Sequence, residues 1–175
     1  MMARHVMGID CGLTGMGYAV AMDGKLVISG ALRTESSAKK RKLRVADDDL
    51  QRVQFLVRGL NELLTQYAPA AVFVEMPTAG AKGARANRGM GLSTGLLVAV
   101  LEMHAMPTSY LIPSDVRKIL CGKASAGKDE AAEVAIKHYG GPWPEVKAER
   151  EHAVDAAAVL LASVNDPLYR MASHG

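Results

Sequence analysis

The sequence predicts an α/β fold in which a five-stranded mixed sheet is flanked by helices on both faces. Short apolar runs bounded by turn residues predict strands, and apolar residues that recur at helical spacing predict helices. Three strands joined by tight turns come first and strands alternate with helices afterwards, so antiparallel and parallel pairs are both expected. The 175 residues are enough for one domain with a substantial core.

The first three strands are predicted from apolar runs and from the turns that separate them. Asp23-Gly24 is typical of a two-residue hairpin, and Gly12, Gly15 and Gly17 mark the turn before it. The strands are expected at residues 5–10, 16–22 and 25–34. Residues 35–46 are polar and basic without periodicity, which predicts a loop.

Helices alternate with two more strands in the rest of the predicted order. A helix is expected from Asp48 until just before Pro69, and Ser114 is expected to cap a short one. Residues 77–91, rich in Gly, Ala and basic residues, predict a long loop. The remaining predicted elements are strands at 70–75 and 107–112, with Tyr110 in the core, and helices at about 92–105, 128–138 and 149–164. Residues 1–165 form the predicted domain, and 166–175 are expected to be a loosely attached tail.

Composition limits the class of protein. The net charge of +3 is too small to indicate a nucleic-acid partner, although a basic run at residues 39–44 precedes Asp47-Asp48-Asp49. That run is either a solvated loop or a DNA contact. Cys11 and Cys121 form no metal-binding pair, which favours reduced thiols and a cytoplasmic setting. No apolar segment is long enough for a signal peptide or a membrane span, so a soluble protein is expected.

Four side chains that suit a divalent cation lie at the ends of two predicted strands and on one predicted helix. Asp10 ends the run Val6-Met7-Gly8-Ile9, and Glu75 ends the run Ala71-Val72-Phe73-Val74. A carboxylate at the end of a buried strand costs free energy unless its charge is compensated. His152 and Asp155 lie one helical turn apart and point the same way. Oxygen-rich ligation favours Mg²⁺ or Mn²⁺, and a pair of such ions supports phosphodiester hydrolysis.

The element order is that of the ribonuclease H-like fold, and the motifs resemble those of RuvC-type Holliday junction resolvases. Three segments carry the resemblance, which extends over nearly the whole chain: Gly8-Ile9-Asp10-Cys11-Gly12 with Thr14-Gly15-Met16-Gly17-Tyr18, Val74-Glu75, and His152-Ala153-Val154-Asp155-Ala156. The resemblance implies that Asp10, Glu75, His152 and Asp155 are the metal-binding and catalytic tetrad, with two Mg²⁺ ions per site and Mn²⁺ as a substitute. His152 is expected to be either a ligand or the base for the attacking water.

The same resemblance implies two further cations near the scissile phosphate. Lys128, in Ser125-Ala126-Gly127-Lys128, matches a lysine of the family. A second basic residue is expected at Arg117 or Lys118. Two departures are evident: Cys11 replaces the usual proline, and Met76 stands where the family commonly has an aromatic residue that enters the junction.

DNA contacts are predicted from basic side chains near the metal ligands. Lys82, Arg85 and Arg88 follow Glu75 in the predicted loop, where they can neutralise phosphates. Lys39, Lys40 and Arg41 of the basic run are further candidates. The helix at 92–105 is apolar nearly all round, so it lies either in the core or in the interface of the homodimer that paired cutting requires.

The expected function is therefore paired, metal-dependent hydrolysis of four-way DNA junctions that leaves 5′-phosphates. A broader nuclease for forks and flaps and a non-catalytic junction-binding module remain alternatives. Actin-like and sugar-kinase ATPases also place a glycine-rich hairpin after an Asp. They need a second similar domain, for which 175 residues leave no room.

Overall fold

The computed structural model describes residues 4–36, 43–77 and 83–174 of the chain, and a five-stranded sheet lies at its centre. The strands are β1 (His5–Asp10), β2 (Gly15–Met22), β3 (Lys25–Arg33), β4 (Ala71–Glu75) and β5 (Thr108–Leu111). Their order across the sheet is β3-β2-β1-β4-β5. β1–β2 and β2–β3 are antiparallel, whereas β1–β4 and β4–β5 are parallel. The predicted mixed sheet is confirmed.

Helices cover both faces of this sheet, as predicted. They are α1 (Val45–Tyr67), α2 (Ala84–Met103), α3 (Pro113–Cys121), α4 (Lys128–Tyr139), α5 (Lys147–Ala162) and α6 (Pro167–His174). Leucines of α1 and α2 pack with Met7 and Ile9 on one face. On the other face, the small and apolar residues of α5 pack with Val6 and Phe73.

Alternation along the two central strands decides which side chains face α5. Val6 of β1 and Phe73 of β4 belong to the core cluster that contains α5. Successive strand residues point to opposite faces, so every second residue from these two shares the α5 side. By this rule, Gly8 and Asp10 in β1 and Glu75 in β4 face α5.

The predicted loop at 77–91 is wrong for its second half, because α2 already begins at Ala84. Gly83 precedes the helix with φ +102°, and its carbonyl accepts the backbone N–H of Asn87. Alanine and arginine favour helix strongly enough to offset the glycines that follow. α1 likewise begins at Val45 rather than Asp48.

Two local predictions about the second half of the chain also fail. Ser114 does not cap α3: Ile112 is the N-cap residue and Pro113 opens the helix, where its missing N–H costs nothing. Tyr110 is 46% exposed rather than in the core. β5 is the edge strand of the sheet, so Tyr110 has a neighbouring strand on one side only.

The carboxyl-terminal segment is not the loosely attached tail that was expected. Residues 167–174 form α6, whose Tyr169 and Ala172 are buried in the α5-side core. The Tyr169 ring lies 5.5 Å from that of Phe73, measured between centroids. Asp166 caps the start of α6 by accepting the backbone N–H of Leu168 at 2.7 Å. Burial of an aromatic ring holds this segment on the body of the fold.

No helix among the described residues is both long and apolar enough to cross a membrane.

Candidate active site

The site begins with two acids brought together by the sheet. Asp10 is the last residue of β1 and Glu75 the last of β4, and the two are direct partners in the parallel register. The carboxyl ends of parallel neighbours meet at one edge of a sheet. Both carboxylates therefore face α5 at the same edge.

Three glycines let α5 lie close against β1 and β2. A Cβ atom at Gly8 would clash with the carbonyl oxygen of Ala156, and one at Gly17 with the carbonyl oxygen of His152. A Cβ atom at Gly15 would clash with the imidazole of His152. These glycines thus determine how closely α5, with its polar residues, packs against β1 and β2.

α5 completes a cluster of three side chains. His152 Nδ1 lies 3.0 Å from Asp10 Oδ2, and one ligand atom each from Asp10, His152 and Asp155 lie within 4.8 Å of one another. All three are partly buried. Two carboxylates and an imidazole at this separation could hold one divalent cation. The structure therefore brings three of the four predicted ligands into one candidate metal site.

Glu75, the fourth predicted ligand, lies outside that cluster of three but interacts with it electrostatically. Burial, followed by the charges of Asp10 and Asp155, raises the pKa of Glu75 to about 7, against the opposing charges of Lys128 and Arg117. Three carboxylates crowded at one sheet edge repel each other in the absence of a cation. A bound divalent cation would relieve this repulsion, so the donor set fits the metal that the sequence predicts.

The histidine and the helix acid respond to the same crowding. The hydrogen bond to Asp10 raises the pKa of His152, although burial opposes it. Burial raises the pKa of Asp155, and the hydrogen bond from Lys128 opposes it. Both shifts favour the protonated forms of these side chains, which makes the cluster less negative.

Lys128 supplies the nearest positive charge. Its Nζ lies 2.5 Å from Asp155 Oδ2 at the first residue of α4. Burial lowers the pKa of Lys128, but its hydrogen bond to Asp155 and the charges of Asp155, Asp10 and Glu75 outweigh burial, and the net shift is upward. The side chain is 72% exposed and can reach a substrate in solvent.

A cleft of about 200 Å³ opens beside the cluster, and Glu75, Arg117, Lys128 and Asp155 line it. Arg117 is fixed there because its guanidinium donates to the carbonyl oxygens of Pro113, at 3.0 Å, and Ala126, at 3.3 Å. Lys118 is exposed and does not line this cleft. Of the two predicted alternatives, the structure brings Arg117 to the site.

The predicted DNA contacts have different surroundings. Arg85 is exposed in the first turn of α2 and donates to Ser36 Oγ at 2.8 Å. Arg88 Nε instead lies 2.9 Å from the carboxylate of Asp49, which is 5% exposed. Lys39, Lys40, Arg41 and Lys82 lie outside the described residues. Arg85 and Arg88 are both exposed, but only Arg88 pairs with a buried carboxylate.

Met76 does not project as an exposed apolar side chain. It is half-buried against the α1- and α2-side core, and its backbone N–H donates to the carbonyl oxygen of Leu111 at 2.8 Å.

Sequence reasoning missed a buried group of charged and polar residues beside the turn that follows Asp10. We call Thr34, Asp49, Arg52 and Arg88 the buried polar network, since all but Arg88 are buried and each contacts another member. Asp49 and Arg52 continue the buried stripe of α1 that includes Leu56 and Leu60. The helical spacing of Asp49 and Arg52 relative to these leucines was the sequence signal for their burial. Charged residues at the start of a helix, however, ordinarily indicate a solvated face.

Comparison with known proteins decides the family. A sequence model described as "Crossover junction endodeoxyribonuclease RuvC" matches residues 6–162. The chain belongs to this family. The RuvC protein of Trichlorobacter lovleyi is 28% identical over 171 residues, covering 95% of this chain and 88% of that protein. The RuvC protein of Neisseria meningitidis serogroup A is 27% identical over 164 residues, covering 90% and 83%.

Solved RuvC structures have the same fold. The Thermus thermophilus RuvC in complex with a Holliday junction substrate superposes with a TM-score of 0.72 at 23% identity, covering 92% of this chain and 93% of that one. A second structure of Thermus thermophilus RuvC gives 0.69 at 24% identity and covers 97% of each. The ribonuclease H-like fold predicted from the element order is confirmed.

Proposed function

We propose that this RuvC-family protein is an endonuclease that resolves four-way DNA junctions by paired phosphodiester hydrolysis, leaving 5′-phosphates. The observation that carries the proposal is the cluster of Asp10, His152 and Asp155 beside Glu75 at one edge of the sheet. Lys128 and Arg117 face the adjoining cleft, so cations for a phosphate stand next to ligands for a metal.

Two Mg²⁺ ions, with Mn²⁺ as a substitute, are the proposed cofactors. Asp10, Glu75, His152 and Asp155 would hold them. When bound, such ions supply an activated water and stabilise the charge of the attacking and leaving oxygens. The protein groups bind and orient: Arg117 is held by backbone carbonyls and is preorganised to contact a phosphate oxygen in the cleft.

Lys128 has two alternative partners in this scheme. Its ammonium contacts Asp155 at 2.5 Å, yet most of the side chain is exposed. A phosphate entering the cleft offers a second anionic partner within reach, and the lysine then stabilises negative charge that develops there. His152 donates a hydrogen bond through Nδ1 to Asp10 and serves either as a ligand or as the base for water.

A homodimer is proposed because two symmetric cuts require two sites. The outer side of α2 presents Gly91, Gly95 and Ala99 at intervals of four residues, and all three are exposed. Apart from the adjacent residues and backbone of α2 itself, no heavy atom of the described residues lies within 4 Å of a Cβ built at Gly91 or Gly95. The inner residues Leu97 and Leu101 belong to the core. A second copy of α2 could therefore approach closely on the outer face, as in other isologous interfaces.

Selectivity among branched substrates is a second question. Met76, the residue after Glu75, has no aromatic ring and its side chain is half-buried, so this position offers no exposed ring to separate strands. This observation favours a nuclease that also accepts forks and flaps.

Cleavage of synthetic DNA tests the proposal. Four-way junctions, forks, flaps and linear duplexes are incubated with Mg²⁺ and either the wild-type protein or Asp10→Asn, and cut sites are mapped. We expect symmetric nicks in the junction by the wild type only. Equal cleavage by Asp10→Asn would disprove the metal-site assignment, and junction binding without cleavage by the wild type would support a non-catalytic role.

A further inference from the structure

The buried polar network adjoins the turn that follows Asp10. Residues 11–14 link the end of β1 to Gly15, the first residue of β2. One end of this turn is Asp10 and the other meets the imidazole of His152, because Gly15 lies directly beneath that ring. The position of the turn is therefore part of the geometry of the candidate metal site.

Thr34 holds this turn from one side. Its hydroxyl donates to the carbonyl oxygen of Leu13 at 2.5 Å, and its backbone N–H donates to the carbonyl oxygen of Thr14 at 3.0 Å. The same hydroxyl oxygen accepts a hydrogen bond from Arg52 Nε at 2.8 Å. A hydroxyl that donates once and accepts once in a buried setting has its orientation fixed.

Arg52 in turn forms an ion pair with Asp49. Its guanidinium lies 3.7 Å from Asp49 Oδ1, while Asp49 Oδ2 receives Arg88 Nε of α2 at 2.9 Å. Removing ions from water is costly, and the Asp49 carboxylate offsets part of that cost by facing both guanidinium groups. Among the described residues, Arg52 Nη2 is buried without a hydrogen-bond partner. The network thus connects the amino end of α2 to the turn through a chain of polar contacts.

The side chain of Leu13 adds a second contact between the turn and α2. Leu13 is buried, and its nearest atom would lie 3.4 Å from a Cβ at Gly89, the residue after Arg88. The turn is therefore held on two sides. Thr34 hydrogen-bonds to its backbone carbonyl oxygens, and α2 packs against the Leu13 side chain.

We propose that Thr34 is a positioning residue for the metal site, acting through Leu13 and Thr14, with Arg52 orienting its hydroxyl. The proposal rests on the metal-dependent cleavage put forward above. Neither residue touches the metal ligands; each determines where the turn between Asp10 and Gly15 lies.

Thr34→Val and Thr34→Ser form the test pair. Valine has nearly the same shape but no hydroxyl, and serine keeps the hydroxyl. Ser163→Ala is the matched control, since it removes a different buried hydroxyl, one that donates to the carbonyl oxygen of Val159 at the far end of α5. Single-turnover cleavage of a four-way junction is measured at saturating DNA and Mg²⁺, junction affinity is measured in Ca²⁺, and Mn²⁺ affinity is measured by calorimetry without DNA.

We expect Thr34→Val to lower the cleavage rate roughly tenfold or more, since small displacements of reacting groups are costly in rate. It should also weaken Mn²⁺ binding while leaving junction affinity within about twofold, a split that general loosening of the fold does not produce. Thr34→Ser should restore both values, and Ser163→Ala should match the wild type in cleavage and Mn²⁺ binding.

Three results would overturn the proposal: wild-type cleavage by Thr34→Val, an equal loss with Thr34→Ser, or an equal loss with Ser163→Ala. Should Thr34→Val fail to fold, Arg52→Lys tests the same proposal. This substitution keeps a positive charge near Asp49 but removes the Nε–H group that donates to Thr34. If the wild type itself binds no junction or cuts none, the proposed function fails instead, and Mn²⁺ affinity still reports on the positioning of the turn.

Discussion

Arg88 Nε lies 2.9 Å from Asp49 Oδ2, so an arginine expected to contact DNA instead compensates a buried carboxylate. Arg85, three residues earlier, is exposed and donates a hydrogen bond to the hydroxyl of Ser36 at 2.8 Å. Both arginines of the first turns of α2 are exposed, but only Arg88 also compensates a buried charge.

Replacing these two arginines should separate stability from DNA binding. Arg88→Ala leaves Asp49 short of a partner and should lower the free energy of unfolding by about 1–3 kcal/mol. Arg85→Ala should change it by less than about 0.5 kcal/mol but should weaken junction binding and reduce the salt slope of log K by about 0.9. Urea denaturation and binding titrations over a salt series measure both. Equal destabilisation by the two substitutions would contradict this division.

Glu75 should make the metal-free protein less stable as pH rises. Its pKa is raised from 4.5 to about 7, chiefly by burial, so the folded state holds a proton that the unfolded state releases between these values. Stability is then lost as pH rises through this window. Glu75→Gln should melt above the wild type near pH 8 in EDTA, and the difference should shrink towards pH 4.5.

Divalent cations provide the control for Glu75. Mg²⁺ should stabilise the wild type near pH 8 more than it stabilises Glu75→Gln, because only the wild type has a carboxylate at position 75 to bind the ion. A melting difference that does not depend on pH would show that repulsion among the acids is not its origin.

His152→Asp should distinguish a ligand from a base. The hydrogen bond to Asp10 raises the pKa of the imidazole, so protonation competes with either role as pH falls towards and below neutral. If His152 is the base, the aspartate variant loses the rate limb near neutral pH. If it is a ligand, the variant retains cleavage and changes its metal preference, since a carboxylate favours hard cations. Rate–pH profiles in Mg²⁺ and Mn²⁺ decide between these outcomes.

Gly17→Ala should disable the site through the backbone of α5. The added methyl group meets the carbonyl oxygen of His152, so the helix must move away from β2. We expect a loss of about 1–3 kcal/mol in unfolding free energy and of most cleavage activity. Gly95→Ala is the matched control for the unfolding free energy of the monomer, because a Cβ at this position meets no described atom outside the backbone of its own helix and alanine favours helix. Wild-type melting and cleavage by Gly17→Ala would refute the close approach.

Gly95→Arg tests the proposed dimer face. The arginine fits the exposed side of α2 in a monomer but fills the space that a second copy of the helix would need. Sedimentation should show a dimer for the wild type and a monomer for the variant, whose junction cleavage should yield single nicks. A dimeric variant would place the interface elsewhere.

The order of strands and helices along the chain was largely predictable because short apolar runs and helical spacing are local signals. Asp10 and Glu75 could be placed at one edge because they end neighbouring parallel strands. The start of α2 was missed because Ala, Gly and Arg give little apolar periodicity. Asp49 and Arg52 were missed because burial of a charge depends on a partner such as Arg88, about forty residues away, which no local pattern reveals.

The close contact between Gly15 and His152 restricts which pairs of residues related proteins can have at these two positions. A Cβ atom at position 15 would overlap the imidazole of His152, so a larger residue there must displace the histidine ring from its place beside Asp10. A shorter side chain at 152 vacates that space, and Gly15→Ala then becomes tolerable. The two positions should therefore vary together among related sequences, and the double substitution should be less damaging than the sum of its parts.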